Sequence, residues 1–242
     1  MRHFPAEKCL DFFPCLCKYT VHTVAVREEM NMKAMLLRGI RDMMKTAEPR
    51  ELGDVETPQP GEDEILIKVG ACGVCHTELD EIEGRTTPSV FPMVLGHEVA
   101  GTVAETGRGV SRFTAGDRAG AGWIYSSCRQ CVYCGSGNEN LCAEFRATGR
   151  DVWGGYAEYM KIPEQFAFPI PERFTDGRAA PLFCAGAIGY RSLNLTKMKN
   201  GLRLGLTGFG ASAHLVLKMA ARRYPDSEVY VFARNPLERD FA

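Results

Sequence analysis

A chain of 242 residues, 45% of them apolar and 24% charged, has the makeup of a globular protein with one large domain or two modest ones. Its formal net charge of −1 lacks the basic surplus that a polyanion would require, so nucleic acid is not an expected partner. No apolar run reaches the ~18 residues of a membrane span, so no membrane association is expected.

The N-terminal stretch MRHFPAEKCLDFFPCLCKYTVHTVAV is mildly apolar, but Asp11, Pro14 and Lys18 interrupt any signal-like core. Residues 1–31 read as a poorly ordered extension, rather than an anchor or a metal tail built on Cys9, Cys15 and Cys17. The chain reads as cytoplasmic. In that compartment thiols stay reduced, so clustered cysteines point to metal ligands or catalytic groups before disulfides.

From Met32 to about Pro181 the pattern is one of short strands and turns. MKAMLLRG opens it, and EILIKVG (64–70) follows the turn residues PQPGEDE. EVAGTVAETG, GDRAGAG and GGYAEYMKI continue it, with glycines where strands bend or end. The character changes at PLFCAGAIGYRSLNL, which is helix-like. Beyond it, GLRLGLTGFGASAHLVLKMAARRYPDSEVYVFAR reads as strand, glycine turn, amphipathic helix and strand, a βαβ opening. The expected class is therefore α/β.

Cys128, Cys131, Cys134 and Cys142 fall within fifteen residues. Four soft ligands so closely spaced suit a tetrahedral zinc ion, and four thiolates leave no position for water or substrate. Such a site holds a loop together. The alternatives are thiols without metal, a redox pair, or a knuckle that binds a partner.

Three other fragments, GVCHTELD with Cys75, GHE with His97 and Glu98, and PLFCAG with Cys184, are weak alone. A lone cysteine is usually a small buried hydrophobe. Brought together by a fold, two thiolates and an imidazole would form the three-ligand open site of catalytic zinc.

With these fragments the chain, from about Met32 onward, resembles the zinc-dependent alcohol dehydrogenases of the medium-chain dehydrogenase/reductase superfamily. The resemblance rests on Cys75-His76-Thr77, Gly96-His97-Glu98, the four-cysteine lobe, GGYAEY, PLFCAGAIGY and GFGASA, in the family's order. It implies a GroES-like β-rich catalytic domain over 32–185 and the first βαβ part of a Rossmann domain over 186–242. It further implies two zinc ions per chain, with Cys75, His97 and Cys184 holding the catalytic one. Thr77 would pass on the substrate hydroxyl's proton, Glu98 would lie beside the metal or ligate it transiently, and His76 would face the cofactor pyrophosphate. Cys72 matches no ligand position and reads as a core thiol. Two departures stand out: Glu78 replaces the aspartate that orients the ligating histidine, and Asp80 replaces the histidine that ends the proton relay.

Gly208, Gly210 and Ala213 spell G-x-G-x-x-A between strand and helix: a tight turn, room for a pyrophosphate, and close helix packing. The second strand ends with Ala233 where NAD sites offer an acid, followed by Arg234, which favours the 2′-phosphate of NADP over NAD. The expected activity is reversible hydride transfer between a primary or secondary alcohol and NAD(P), giving aldehyde or ketone. Full-length members imply a homo-oligomer. A doubly wound fold has six strands and this chain supplies two. The expectation is therefore that the chain alone binds structural zinc but turns alcohol over poorly or not at all, the alternative to an active enzyme being a truncated, inactive relative that retains only structural zinc binding.

Overall fold

A computed structural model describes residues 31–241; the expected N-terminal extension, apart from Asn31 as numbered, lies outside them. The first strands are β1 (Asn31–Leu37), β2 (Glu51–Glu56) and β3 (Glu64–Cys72). Helix α1 (His76–Ile82) leads to β4 (Met93–Val94), β5 (Val99–Thr106) and β6 (Arg118–Ala121). β7 (Ile124–Ser126) pairs with β8 (Arg146–Ala147), and the short helix α2 (Val132–Gly135) lies between them. β9 (Tyr159–Pro163) and β10 (Ala167–Pro169) complete the β-rich part.

The main sheet runs β10-β6-β5-β3-β9 and is antiparallel throughout. Alternation sets its inner face. Ile65 pairs with Ile162, and Ile67 is flanked by Met160 and Val103. These residues form one buried cluster with Val99, Phe113, Ala121 and Tyr125. Burying each large aliphatic side chain contributes roughly 1.5–3 kcal/mol, which makes this row the main brace of the sheet. A smaller sheet, β2-β1-β4, packs Leu37 and Met93 against Ile82 and Leu95.

The chain then turns helical: α3 (Asp176–Ala179), a 3₁₀ turn at Ala180–Phe183, and α4 (Ala185–Leu195). β11 (Arg203–Thr207), α5 (Ala211–Arg223) and β12 (Glu228–Phe232) follow, with α6 (Pro236–Phe241) last. β11 and β12 are parallel, joined through α5, which is the expected βαβ unit. Leu204 and Leu206 of β11 pack on Val216 and Ala220 of α5 and on Leu193 of α4. The fold is thus the expected mixed α/β arrangement, β-rich first and βαβ second. No helix among the described residues is long and apolar enough to cross a membrane.

Candidate metal centres and cofactor turn

Cys75 caps α1, three residues beyond the end of β3. His97 arrives from the other side, one residue after Gly96. That glycine has φ +97°, a left-handed turn, and a Cβ there would stand 2.8 Å from both Cys72 Sγ and Tyr156 Cδ1. Cys184 comes from the junction between the 3₁₀ turn and α4, 109 residues beyond Cys75. Tertiary structure brings the three together: donor atoms of Cys75, His97, Glu98 and Cys184 all lie within 4.8 Å of one another.

The spacing fits a shared ion. Two sulfurs each ~2.3 Å from one tetrahedral zinc lie about 3.8 Å apart. Cys75 Sγ and Cys184 Sγ are 3.7 Å apart, and both cysteines are free. His97 is 1% exposed, and its Nδ1 stands 2.7 Å from Glu78 Oε1, which leaves Nε2 for the thiolates. Glu78 Oε2 also accepts the Cys75 backbone N–H at 2.7 Å. The longer acid therefore reaches the histidine and ties two candidate ligands to one carboxylate.

Charges concentrate here. Close approach to Cys184 and hydrogen bonding to His97 pull the Cys75 thiol down to about 3. The same contact with Cys75, together with burial, pushes the Cys184 thiol up. Burial opposes a charged His97, but hydrogen bonds to Cys75 and Glu78 outweigh it and raise its pKa to about 10. Burial and the Cys75 charge raise that of Glu98. Without an ion the Cys75 charge holds protons on Cys184 and Glu98, and a cation shared by the four donors would take the place of those protons.

Thr77 Oγ1 lies 3.5 Å from Cys75 Sγ. Asp80, at the relay position, is held by Arg85 Nε at 2.5 Å, with His76 Nε2 3.9 Å away. His76 is exposed. Trp123 meets the His97 ring edge-on, centroids 5.0 Å apart, and the Arg150 guanidinium lies 5.6 Å from the centroid of the Trp123 ring. Cys72 is half-buried against the main core, and burial drives its thiol up to about 12, as befits a core cysteine.

Sequence reading passed over Glu81. It is fully buried, neither carboxylate oxygen has a hydrogen-bond partner among the described residues, and burial plus the Glu78 charge raise its pKa to about 8. The available signal was its i,i+3 spacing from Glu78, which puts both acids on one face of α1.

In the four-cysteine lobe Cys128 Sγ and Cys134 Sγ are 3.9 Å apart, and Cys131 and Cys134 3.6 Å, again the spacing of thiolates around one ion. Backbone N–H groups of Cys131, Cys128 and Glu144 point at these sulfurs from 3.3–3.4 Å, as they do at anionic sulfur. All four sulfurs fall within 4.8 Å of one another.

The cofactor turn is open. Gly208 has φ +80°, and a Cβ at Gly208 or Gly210 would meet nothing within 4 Å. Packing therefore does not require glycine at Gly210, whereas a phosphate approaching the N-terminus of α5 does. Ala213 packs into the second core, and Arg234 is exposed just beyond β12. Phe209 N lies 3.4 Å from Glu238 Oε2 of α6, a carboxylate beside the turn that the motif did not signal.

Residues 61–172 match the alcohol dehydrogenase GroES-like domain family. The chain is 42% identical over 199 residues to the Mycobacterium tuberculosis protein named "Probable alcohol dehydrogenase AdhA", covering 80% of this chain and 57% of that one. A cobalt- and zinc-bound thermostable alcohol dehydrogenase from Pyrobaculum aerophilum superposes with TM-score 0.78 at 26% identity, over 88% of this chain and 62% of that one. A structure named CAD from Helicobacter pylori, complexed with NADP(H), gives the same TM-score, identity and coverage. The chain spans about half the length of the curated relatives it matches, between 50% and 57% for the first three.

Proposed function

The chain belongs to the zinc-dependent alcohol dehydrogenases of the medium-chain dehydrogenase/reductase superfamily, and from that premise we propose that it carries the catalytic centre of an NAD(P)-linked alcohol oxidoreductase acting on small alcohols and their aldehydes or ketones. The supporting observation is the convergence of Cys75, His97 and Cys184, drawn from three separate segments, to donor atoms within 4.8 Å. In this reading residues 32–185 form the catalytic unit and 186–242 begin the dinucleotide-binding unit.

Cys75, His97 and Cys184 would hold one zinc ion, with Glu98 beside it or as a fourth ligand. Cys128, Cys131, Cys134 and Cys142 would hold a second that fixes their loop. When bound by Cys75, His97 and Cys184, the ion would supply a Lewis acid able to lower the pKa of an alcohol oxygen. The chain's own residues do the rest. The Cys75 and Cys184 thiolates would offset the ion's formal charge, and Glu78 fixes the His97 ring while anchoring the Cys75 amide. Thr77 Oγ1 accepts the substrate hydroxyl's proton, since a hydroxyl can donate and accept in one step. Trp123, edge-on to the His97 ring, would form part of the wall beside the ion. Asp80, paired with Arg85, stands where the relay would pass its proton onward.

The turn at Gly208 and Gly210 would take the pyrophosphate, with His76 facing it and Ala213 allowing α5 to pack closely. Arg234, with Ala233 in place of an acid, favours NADP. Zinc content measured beside alcohol-dependent absorbance at 340 nm, with both cofactors, tests the reading. Two zinc ions per chain with NADP-dependent turnover support it. A chain that retains zinc only in the lobe and binds no nicotinamide cofactor removes it.

A further inference from the structure

Cys184 reaches the centre from far along the chain, and its placement has to be set by something other than the β-sheet that carries Cys75. A row of paired residues across the main sheet provides the seat. Ala71 of β3 pairs with Ala100 of β5, Ala100 with Gly120 of β6, and Gly120 with Phe168 of β10. Residues paired in this way share one face of the sheet, so two methyls and a bare backbone make a trough that ends at an aromatic ring.

Phe183, the residue immediately before Cys184, lies in that trough. It packs against the buried cluster of Ala100, Ile170, Ala179 and Ala180, as Ala71 also does, and its ring centroid is 6.2 Å from that of Phe168. A Cβ at Gly120 would overlap the Phe183 ring, and one at Gly122 would stand 2.8 Å from the Phe183 carbonyl oxygen. Ring and carbonyl are therefore both seated on glycines of one strand and its exit. The next residue, Cys184, accepts the Ile188 N–H at 2.9 Å and begins α4. On the other side, β3 supplies Ala71 to the trough and, four residues later, the chain supplies Cys75.

We propose that Phe183 is a positioning residue: its ring, locked into the Ala71–Ala100–Gly120–Phe168 trough, sets Cys184 opposite Cys75 and thereby sets the metal affinity of the dispersed centre. The inference rests on the reading of that centre as a zinc site. A seat of this kind explains why β6 carries a glycine at 120, where a β-branched residue would pair better, and why the chain leaves the strand through a second glycine at 122. Partners that orient metal ligands without touching the metal typically contribute a factor of about 10–100 in affinity, and this is the range expected here.

The test uses the 242-residue chain as wild type, Phe183→Ala, Phe183→Leu and Cys75→Ser, each loaded with Zn²⁺ or Co²⁺ and titrated against a chelator. Wild type is expected to hold two ions, and Cys75→Ser only the lobe ion. Phe183→Ala is expected to hold the lobe ion at unchanged affinity and the dispersed ion at least ~10-fold more weakly. Its cobalt absorption bands for the dispersed centre should shift while the lobe bands stay. If Phe183→Ala does not fold, Phe183→Leu, which keeps an apolar plug, carries the test by the same differential loss at smaller amplitude. Equal affinities of both centres in wild type and the folded variant overturn the proposal. A wild type that holds only the lobe ion overturns the zinc reading itself, and the two failures are told apart by the wild-type count.

Discussion

Glu78 Oε1 stands 2.7 Å from His97 Nδ1, while Glu78 Oε2 takes the Cys75 N–H at the same distance. Both partners of the ion pair are almost wholly buried, at 2% and 1% exposure. One carboxylate therefore orients an imidazole and caps the helix that starts at the neighbouring thiol.

Replacing that carboxylate by its amide removes the charge and keeps the size. Glu78→Gln is expected to weaken Zn²⁺ binding at the dispersed centre by ~10–100-fold. The four-cysteine lobe should keep its ion. Chelator titration of both sites checks this, and equal loss at the two sites would count against a local role for Glu78.

Removal of one lobe thiol, Cys131→Ser, should lower the metal content by one ion per chain. A structural zinc site contributes directly to folding, so the midpoint of thermal unfolding should fall and become insensitive to added Zn²⁺ at that site. Cys131 stands 3.6 Å from Cys134 Sγ, so its loss opens the whole cluster. Metal analysis alongside melting with and without a chelator reads the outcome.

Thr77→Val deletes the hydroxyl that lies 3.5 Å from Cys75 Sγ and keeps the shape of the side chain. The expected result is a turnover roughly 10²-fold lower at unchanged zinc content, since positioned proton transfer typically contributes 10²–10⁴-fold. Thr77→Ser should restore most of it. Steady-state rates with the metal count measured on the same samples decide the matter.

Arg234→Ala should weaken NADPH binding by up to about fivefold, the loss of one exposed charge contact to a phosphate, and leave NADH binding unchanged. Ala233→Asp should reverse the preference. Fluorescence titration with each reduced cofactor gives both ratios, and equal weakening for the two cofactors would remove Arg234 from the 2′-phosphate site.

Stability should show a carboxylate signature at Glu64. Burial raises its pKa, but hydrogen bonds from Lys161 at 2.8 Å, from Tyr125 and from the Gly61 N–H more than offset this and leave it lowered. A lowered folded pKa means the stabilisation is complete above the unfolded carboxylate value of ~4.3 and fades as pH falls through the folded one. Glu64→Gln should thus cost about 1 kcal/mol at neutral pH and nothing in strong acid. Denaturant melts of both proteins across that range give the difference curve.

Much was legible in the residues alone. The spacing of Cys128, Cys131, Cys134 and Cys142 is local, and a short loop can close on an ion with little help from the remaining fold. The turn at Gly208 and the alternation of Ile65 and Ile67 are likewise written in neighbouring positions, because strand and turn geometry repeat over a few residues. Family resemblance named Cys75, His97 and Cys184 as partners, but spacing could not.

Their meeting was decided by the tertiary structure. Cys184 lies 109 residues from Cys75, and what brings their sulfurs to 3.7 Å is sheet register, which pairs Ala71, Ala100, Gly120 and Phe168 into a seat for Phe183. Glu78 is similar: a helical position shows which way it faces, but only the packing of Leu95, next to the Gly96 turn, in one core with Ile82 of α1 puts His97 within its reach. Sequence determines contacts between residues a few positions apart because backbone geometry links them rigidly. Contacts between distant segments depend on which strands pair and in what register, and that is settled by burial of the whole core at once.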